Sequence, residues 1–302
     1  KNKKRTDGLP TLTRTRTPMI HPLQETVELS NGVEMPTIGF GTWQIPINEH
    51  FQNTIQTAIQ LGYRHFDTAQ IYNNAALIGE VIRESGIPRS EFFLTSKIWA
   101  SHRSYESASD AYELIRDQMQ VDYLDLLVIH WPAAQGEPMV WQAQNAGTWR
   151  AFEKLYRDGA VRAIGVSNFL PHHLVPMLAR ASIRPMVNQL EIHPGYSQRA
   201  AVRFCMDRGI RVQAWSPLGR GTLLKHPLLE RIAAAHGVTA AQIALRWLIE
   251  LGIAPIPKAT DFHHQKSNLD VFSFSLTDDE RAELMHMPQT AFSGLHPDTV
   301  TF

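Results

Sequence analysis

Gly62-Tyr63-Arg64-His65-Phe66-Asp67-Thr68-Ala69-Gln70-Ile71-Tyr72-Asn73-Asn74 holds one repeating unit of the chain. Gly62 is placed to close the helix predicted by the spacing of Phe51, Ile55, Ala58 and Ile59. A short strand, Arg64–Asp67, follows at once and ends on a carboxylate, with the phenol of Tyr72 just beyond. Polar groups just past a strand end sit on a rim, where side chains meet a ligand. The same order of helix, glycine, short strand and polar end recurs along the chain, and that recurrence decides the fold.

Gly86, Gly159, Gly209 and Gly252 stand at further helix ends, each with a strand behind it. The predicted strands are Ile38–Thr42, Arg64–Asp67, Phe92–Lys97, Leu124–His130, Arg162–Asn168, Met186–Gln189, Arg211–Ser216 and Ile253–Lys258. They are short and mostly apolar, as expected when helices cover both faces of a parallel sheet. Eight such strands with helical crossovers predict a (β/α)8 TIM barrel, which needs about 250 residues. A β-hairpin over residues 26–38 precedes it, with Asn31-Gly32 expected as a tight primed turn. Residues 26–302 are thus read as one barrel domain. A doubly wound open sheet would need a crevice motif near its first strand. Gly39-Phe40-Gly41 and Gly219-Arg220-Gly221 both lack the third glycine of a dinucleotide fingerprint, and both are rejected.

Composition narrows the class. No apolar run among the 302 residues approaches the roughly 18 needed to span a membrane. Cys205 is the single cysteine, which excludes an internal disulfide and suits a reducing compartment. A cytoplasmic protein with no membrane partner is expected. The formal charge is zero, but residues 1–18 hold six basic side chains against Asp7 alone. These are not interleaved with aromatics and have no apolar stretch of the secretory kind, so residues 1–25 are expected to be a disordered basic tail without a nucleic-acid partner.

Polar residues end seven successive strands: Asp67, Lys97, His130, Ser167-Asn168, Gln189, Ser216 and Lys258. In a barrel that face carries the active site. Asp67, Tyr72, Lys97 and His130 come from neighbouring strands and should converge. A phenol is a poor acid at neutral pH. A buried lysine beside it would favour the phenolate, and a carboxylate would keep the lysine charged. A histidine there can hydrogen-bond a substrate oxygen. Each alone has a structural explanation: an ion pair, a helix-start aromatic, a core histidine. Together they read as a device for exchanging a proton with a carbonyl or alcohol oxygen.

The segments GYRHFDTAQIY (62–72), FLTSKIW (93–99), LVIHWP (127–132), IGVSNF (164–169), VNQLEIHP (187–194) and IPK (256–258) resemble the aldo-keto reductases, in order and over nearly the whole chain from Val27. The pattern is most similar to the diketo-gluconate reductase and prostaglandin F synthase-like branch. The resemblance implies a TIM barrel that binds NADPH, with NADH as an alternative, and transfers hydride to an aldehyde, ketone or keto-sugar. By motif, Tyr72 matches the general acid, Lys97 the residue that lowers its pKa, Asp67 the partner of that lysine and His130 the substrate-orienting histidine. Ser167, Asn168 and Gln189 match the groups holding the nicotinamide carboxamide, with Thr42 and Asp67 beside them. Trp215 matches the ring on which the nicotinamide stacks, and Ser216 and Leu218 match pyrophosphate contacts. Lys258, Ala259, Thr260, His264 and Asn268 fall at the adenosine end. The chain departs from the family there: Ala259 replaces a serine, and His264 stands where an arginine grips the 2′-phosphate. Weaker discrimination against NADH is the expectation, because an imidazole is a poorer phosphate partner than a guanidinium.

Trp43, Trp99 and Trp131 follow the first, third and fourth strands and should wall a largely apolar substrate pocket with His130. Residues 133–148 are expected as a loop, and 217–238 as an insertion with its own helical segment. No metal is expected: His172-His173 and His263-His264 are adjacent pairs without a third spaced ligand and are read as solvated helix starts. The resemblance further implies a monomer. The rivals to a carbonyl reductase are a cofactor-binding regulatory barrel without turnover, against which the intact tetrad argues, and a metal-dependent hydrolase, which lacks a ligand cluster.

Overall fold

The computed structural model describes residues 25–302, so most of the basic tail lies outside the described residues. A hairpin of β1 (Thr26–Glu28) and β2 (Glu34–Pro36) comes first. Eight parallel strands follow: β3 (Phe40–Gly41), β4 (His65–Asp67), β5 (Phe93–Ile98), β6 (Leu124–Ile129), β7 (Val161–Ser167), β8 (Val187–Glu191), β9 (Arg211–Trp215) and β10 (Ala254–Pro255). Their crossovers are α1 (Phe51–Leu61), α2 (Ala75–Glu84), α3 (Tyr105–Met119), α4 (Pro138–Arg157), α5 (Pro171–Leu178), α6 (Arg199–Met206), α7 (Pro227–His236) and α8 (Ala240–Glu250). Two short helices, α9 (Phe262–Leu269) and α10 (Asp278–Met285), complete the outer layer. No single helix among the described residues is long and apolar enough to cross a membrane.

The sheet closes on itself. Gly39 N–H donates to Pro255 O at 3.0 Å and Gly41 N–H to Pro257 O at 2.9 Å, joining β3 to the β10 stretch and completing the (β/α)8 barrel. Gly41 is required there, since a Cβ would stand 2.8 Å from the Ile256 carbonyl oxygen. The two glycines that mimic a nucleotide fingerprint are therefore seam residues. β3 and β10 are shorter than expected because Pro255 and Pro257 cannot donate to a ladder. Lys258 consequently lies beyond its strand rather than at its end.

Gly62, at φ 108°, ends α1 as anticipated, its N–H returning to Ile59 O at 3.1 Å; a left-handed residue there reverses the chain into β4 without a Cβ clash. Thr239 caps α8 through the Gln242 N–H at 3.2 Å. The hairpin turn differs from expectation. Leu29 N–H bonds Val33 O and Gly32 alone takes a positive φ of 82°, a three-residue loop rather than a two-residue primed turn. Asn31 instead uses its amide to reach Arg162 O at 2.9 Å, fastening the hairpin beneath the start of β7. The hairpin thus closes the lower end of the barrel, leaving the C-terminal ends of the strands open. Most of the expected loop 133–148 is helical: α4 begins at Pro138, where a missing N–H is harmless, and its Gln and Ala residues favour helix. The expected insertion holds a 3-10 segment, Gly219–Lys225, followed by α7.

Candidate active site

A cavity of about 910 Å³ opens over the C-terminal ends of the strands. Every residue singled out above as catalytic, cofactor-binding or substrate-binding lines it except Lys97, which lies beneath its floor. β4 and β5 are adjacent, so Asp67 and Lys97 meet inside the barrel: Lys97 Nζ donates to Asp67 Oδ1 and, at 2.9 Å, to Thr68 O. Gln189 reaches across from β8, its Nε2 donating to Asp67 Oδ2 at 2.8 Å. Both carboxylate oxygens are thereby engaged in a setting where Lys97 is only 1 % exposed.

Tyr72 ends a 3-10 turn, Gln70–Tyr72, and its ring centroid lies 5.2 Å from Lys97 Nζ. The turn is held from behind by Asn74, a buried residue whose Oδ1 accepts from Thr68 Oγ1 while its Nδ2 donates to Thr42 Oγ1 at 3.2 Å. Nothing in the local pattern distinguishes Asn74 from its neighbour Asn73, and its supporting role emerges only once β3 and β4 are paired. His130 faces Tyr72 edge-on, with ring centroids 5.8 Å apart, and Trp99 lies 5.1 Å from the same imidazole. Its Nδ1 is buried without a hydrogen-bond partner among the described residues, as suits a ring that serves a ligand oxygen.

The electrostatics run partly against the expected sense. Burial pushes the Lys97 ammonium downward, and Asp67 opposes that shift. Burial raises Tyr72 well above the usual tyrosine range, and the Asp67 charge adds to the rise. The phenol is therefore held protonated, not drawn toward phenolate, because burial penalises the phenolate and the Asp67 charge repels it. Burial, then the Lys97 charge, holds His130 well below the ordinary imidazole range, so it stays neutral.

From this floor the cavity extends past β7, β8 and β9. Trp215 Nε1 donates to Asn168 Oδ1 at 2.8 Å, and Asn168 Nδ2 donates to His130 O at 3.0 Å. Asn168 (φ 64°) and Ser216 (φ 47°) both stand just past strands in the left-handed region, which is strained backbone of the sort that gathers at ligand sites. At the far end, Asn268 and Ala259 are buried, whereas Lys258, Thr260 and His264 are exposed. Asp261 caps α9, accepting from the N–H groups of His263 at 2.9 Å and His264 at 3.1 Å.

On the other side, Trp43, Trp99 and Trp131 all border the opening. Three residues to which the sequence assigns no role in the site join them. Arg220 lies over the Trp43 ring at 4.9 Å, Leu295 lines the wall, and Phe302 packs against Trp99 and Trp131. The histidine pairs part company. His263 and His264 are exposed at the start of α9, as expected, but His173 is buried beneath Trp141 and Phe169. His172 and His173 share a third neighbour from far along the chain, Asp298. Leu170 N–H donates to His173 Nδ1 at 3.0 Å, so the neutral ring carries its proton on Nε2, facing the carboxylate. The hydrogen bond to Asp298 comes from His172 Nε2 at 2.8 Å, while His173 Nε2 lies 2.9 Å from the same oxygen without hydrogen-bond geometry.

Comparison with known proteins places the chain as a whole. The chain is 43% identical over 284 residues to the uncharacterized oxidoreductase YtbE of Bacillus subtilis, covering 93% of this chain and 99% of that one. It is 41% identical over 280 residues to the glyoxal reductase of the same organism, with 93% and 99% covered. The solved structure of a Gox0644 mutant in complex with NADPH superposes with a TM-score of 0.85 at 35% identity, over 92% of this chain and 99% of that one. Residues 37–287 match the Aldo/keto reductase family, and the chain belongs to it.

Proposed function

We propose that this protein is an NADPH-dependent carbonyl reductase that converts aldehydes or ketones, keto-sugars among them, to alcohols. The observation that carries the reading is the meeting of Tyr72, His130 and the Asp67–Lys97 pair at the floor of one cavity. The relatives named a glyoxal reductase and an NADPH complex support the same assignment. The cavity fits a dinucleotide on its own terms. Its volume is that of a cofactor site, its floor holds an unpartnered imidazole nitrogen, and strained backbone at Asn168 and Ser216 borders it.

Ser167, Asn168 and Gln189 would hold the carboxamide, Trp215 the nicotinamide face, Ser216 and Leu218 the pyrophosphate, and Lys258, Thr260, His264 and Asn268 the adenosine end. When bound, the reduced nicotinamide supplies the hydride for the carbonyl carbon. His130, neutral and beside Tyr72, orients the carbonyl oxygen. Tyr72, kept protonated by its surroundings, gives that oxygen its proton. Lys97 stands behind the phenol, so the phenolate left behind meets a fixed cation and not bulk water. Asp67 and Gln189 hold that cation in place. Trp43, Trp99 and Trp131 select an apolar substrate body.

The test is NADPH oxidation with a panel of aldehydes and ketones, together with NADPH affinity measured by fluorescence. Tyr72→Phe should cut turnover about 10²- to 10⁴-fold while NADPH binding persists. Tight NADPH binding with no turnover of any carbonyl would favour the regulatory barrel.

A further inference from the structure

Residues beyond α10 cross the mouth of the cavity and are pinned twice. Glu191, buried at the end of β8, accepts the Ser293 N–H at 2.8 Å and the Ser293 hydroxyl at 2.6 Å. Further on, Asp298 Oδ1 lies 2.8 Å from His172 Nε2 and 2.9 Å from His173 Nε2. The His173 ring is fixed in place, with Nδ1 accepting from the Leu170 N–H and with Trp141 and Phe169 in edge-to-face contact with it. Past this second pin, Val300 O accepts from Gln135 Nε2, and the Phe302 ring comes to rest 4.9 Å from Trp99 and 5.2 Å from Trp131. Trp99 in turn touches His130. A physical line therefore runs from Asp298 through Phe302 and Trp99 to the imidazole that faces the substrate.

Phe302 is 55% exposed, so burial alone does not hold it in place. We propose that Asp298 is a positioning residue for substrate size, hydrogen-bonded by His172 and seated against buried His173 so that Phe302 forms the outer wall at the carbonyl end of the cavity. The proposal rests on reading the cavity as a carbonyl-reductase site. A small aldehyde reaches His130 and Tyr72 while leaving most of the apolar opening unfilled, and Phe302 supplies the missing contact. A bulky ketone fills the opening itself and displaces the wall. Loss of the Asp298 anchor therefore acts on binding of small substrates, not on the proton transfer, because Tyr72 and His130 have separate supports in Asn74 and β6.

Two measurements on the full chain test this. Cys205 is the only cysteine, and burial pushes its thiol up to about 11, so Phe302→Cys creates a single reactive site for monobromobimane. Bimane emission is quenched on contact with tryptophan. Quenching by Trp99 and Trp131 should be strong in this variant and largely lost when Asp298→Ala is added. In the unlabelled chain, Asp298→Ala should raise KM for a small aldehyde about two- to tenfold with kcat little changed, the range an aromatic contact accounts for. KM for a bulky aromatic ketone should hold or fall. Phe302→Ala should behave alike, and the double variant should be no worse than either single one. Unchanged quenching, an equal kcat loss for all substrates, or additive losses in the double variant would overturn the proposal. The labelling arm needs no turnover. A quenching response in a chain that reduces no carbonyl would support the anchor and sink the reductase reading, whereas turnover without that response would sink the anchor alone.

Discussion

At the floor of the cavity, Asp67, Lys97 and Gln189 are buried and satisfied by one another, and each comes from a strand. At the far end, Lys258, Thr260 and His264 project from a proline-interrupted stretch and the start of α9, with the His264 side chain 79% exposed. The first region is wired before any ligand arrives, and the second is a loose set of surface charges. Electrostatic effects are large where water is excluded and small where it is not. The two ends should therefore answer mutation on different scales: the floor through rate, the rim through cofactor choice.

The largest effect is expected at Tyr72. Tyr72→Phe removes the phenolic proton that the proposed mechanism uses and should cost about 10²- to 10⁴-fold in kcat, with NADPH affinity kept. The same residue sets the sign of the pH dependence. Its pKa is raised, so the acid form that the proposed proton transfer uses persists upward in pH, and His130, lowered, adds no protonation on the acid side. The kcat/KM for reduction should be level from about pH 6 to 9 and fall only above about 10. An alkaline decline centred near neutrality would show that the bound state reverses the burial effect on Tyr72.

Next come the residues behind the phenol. Lys97→Met leaves Asp67 buried beside Gln189 alone and is expected to cost about 3–5 kcal/mol in urea unfolding, the usual result of breaking a buried pair. It should also cost about 10²-fold in kcat, because the phenolate loses its cation. Asp67→Asn keeps a hydrogen-bond partner for Lys97 and should do less than Tyr72→Phe. Equal losses for Asp67→Asn and Tyr72→Phe would mean that the carboxylate acts on substrate directly, which the floor geometry does not provide for.

The same contrast explains what the sequence made legible. The floor residues stand at or just past the ends of regular strands, so periodicity and the barrel rule suffice to put Asp67, Lys97 and His130 on one face. Gln189 was placed by resemblance as a carboxamide partner, and its bond to Asp67 across the barrel was not foreseen, since no local pattern links residues so far apart in sequence. The direction of the Tyr72 shift depends on how deeply the phenol is buried and how near Asp67 stands, and that is a matter of tertiary packing. Phe302, Asp298 and buried His173 escaped for the same reason: their meaning comes from a segment returning over α5. Residues 133–148 lack an apolar stripe and so carry no helical signal, although their Gln and Ala residues are good helix formers and α4 begins among them at Pro138.

The smallest effect should lie at the rim. His264 is the nearest counterpart to the arginine expected there, and its Nδ1 lies 3.8 Å from the Asp261 carboxylate. The N–H groups of His264 and His263 hold that carboxylate below the usual range, so Asp261 is an anion at neutral pH. A phosphate arriving at this end meets an imidazole already beside a carboxylate, and two backbone donors of α9 that the same carboxylate has taken. His264→Arg supplies a permanent fork of donors that can face a phosphate. It should tighten NADPH about two- to tenfold, an ordinary gain for one exposed charge contact, and leave NADH unchanged. Fluorescence titration of both dinucleotides gives the ratio directly, and raising the ionic strength should erase much of the gain. If both dinucleotides tighten alike, the arginine is acting on shared parts of the cofactor. If neither changes, the 2′-phosphate is held elsewhere, and the division into a wired floor and a loose rim must be redrawn at Lys258.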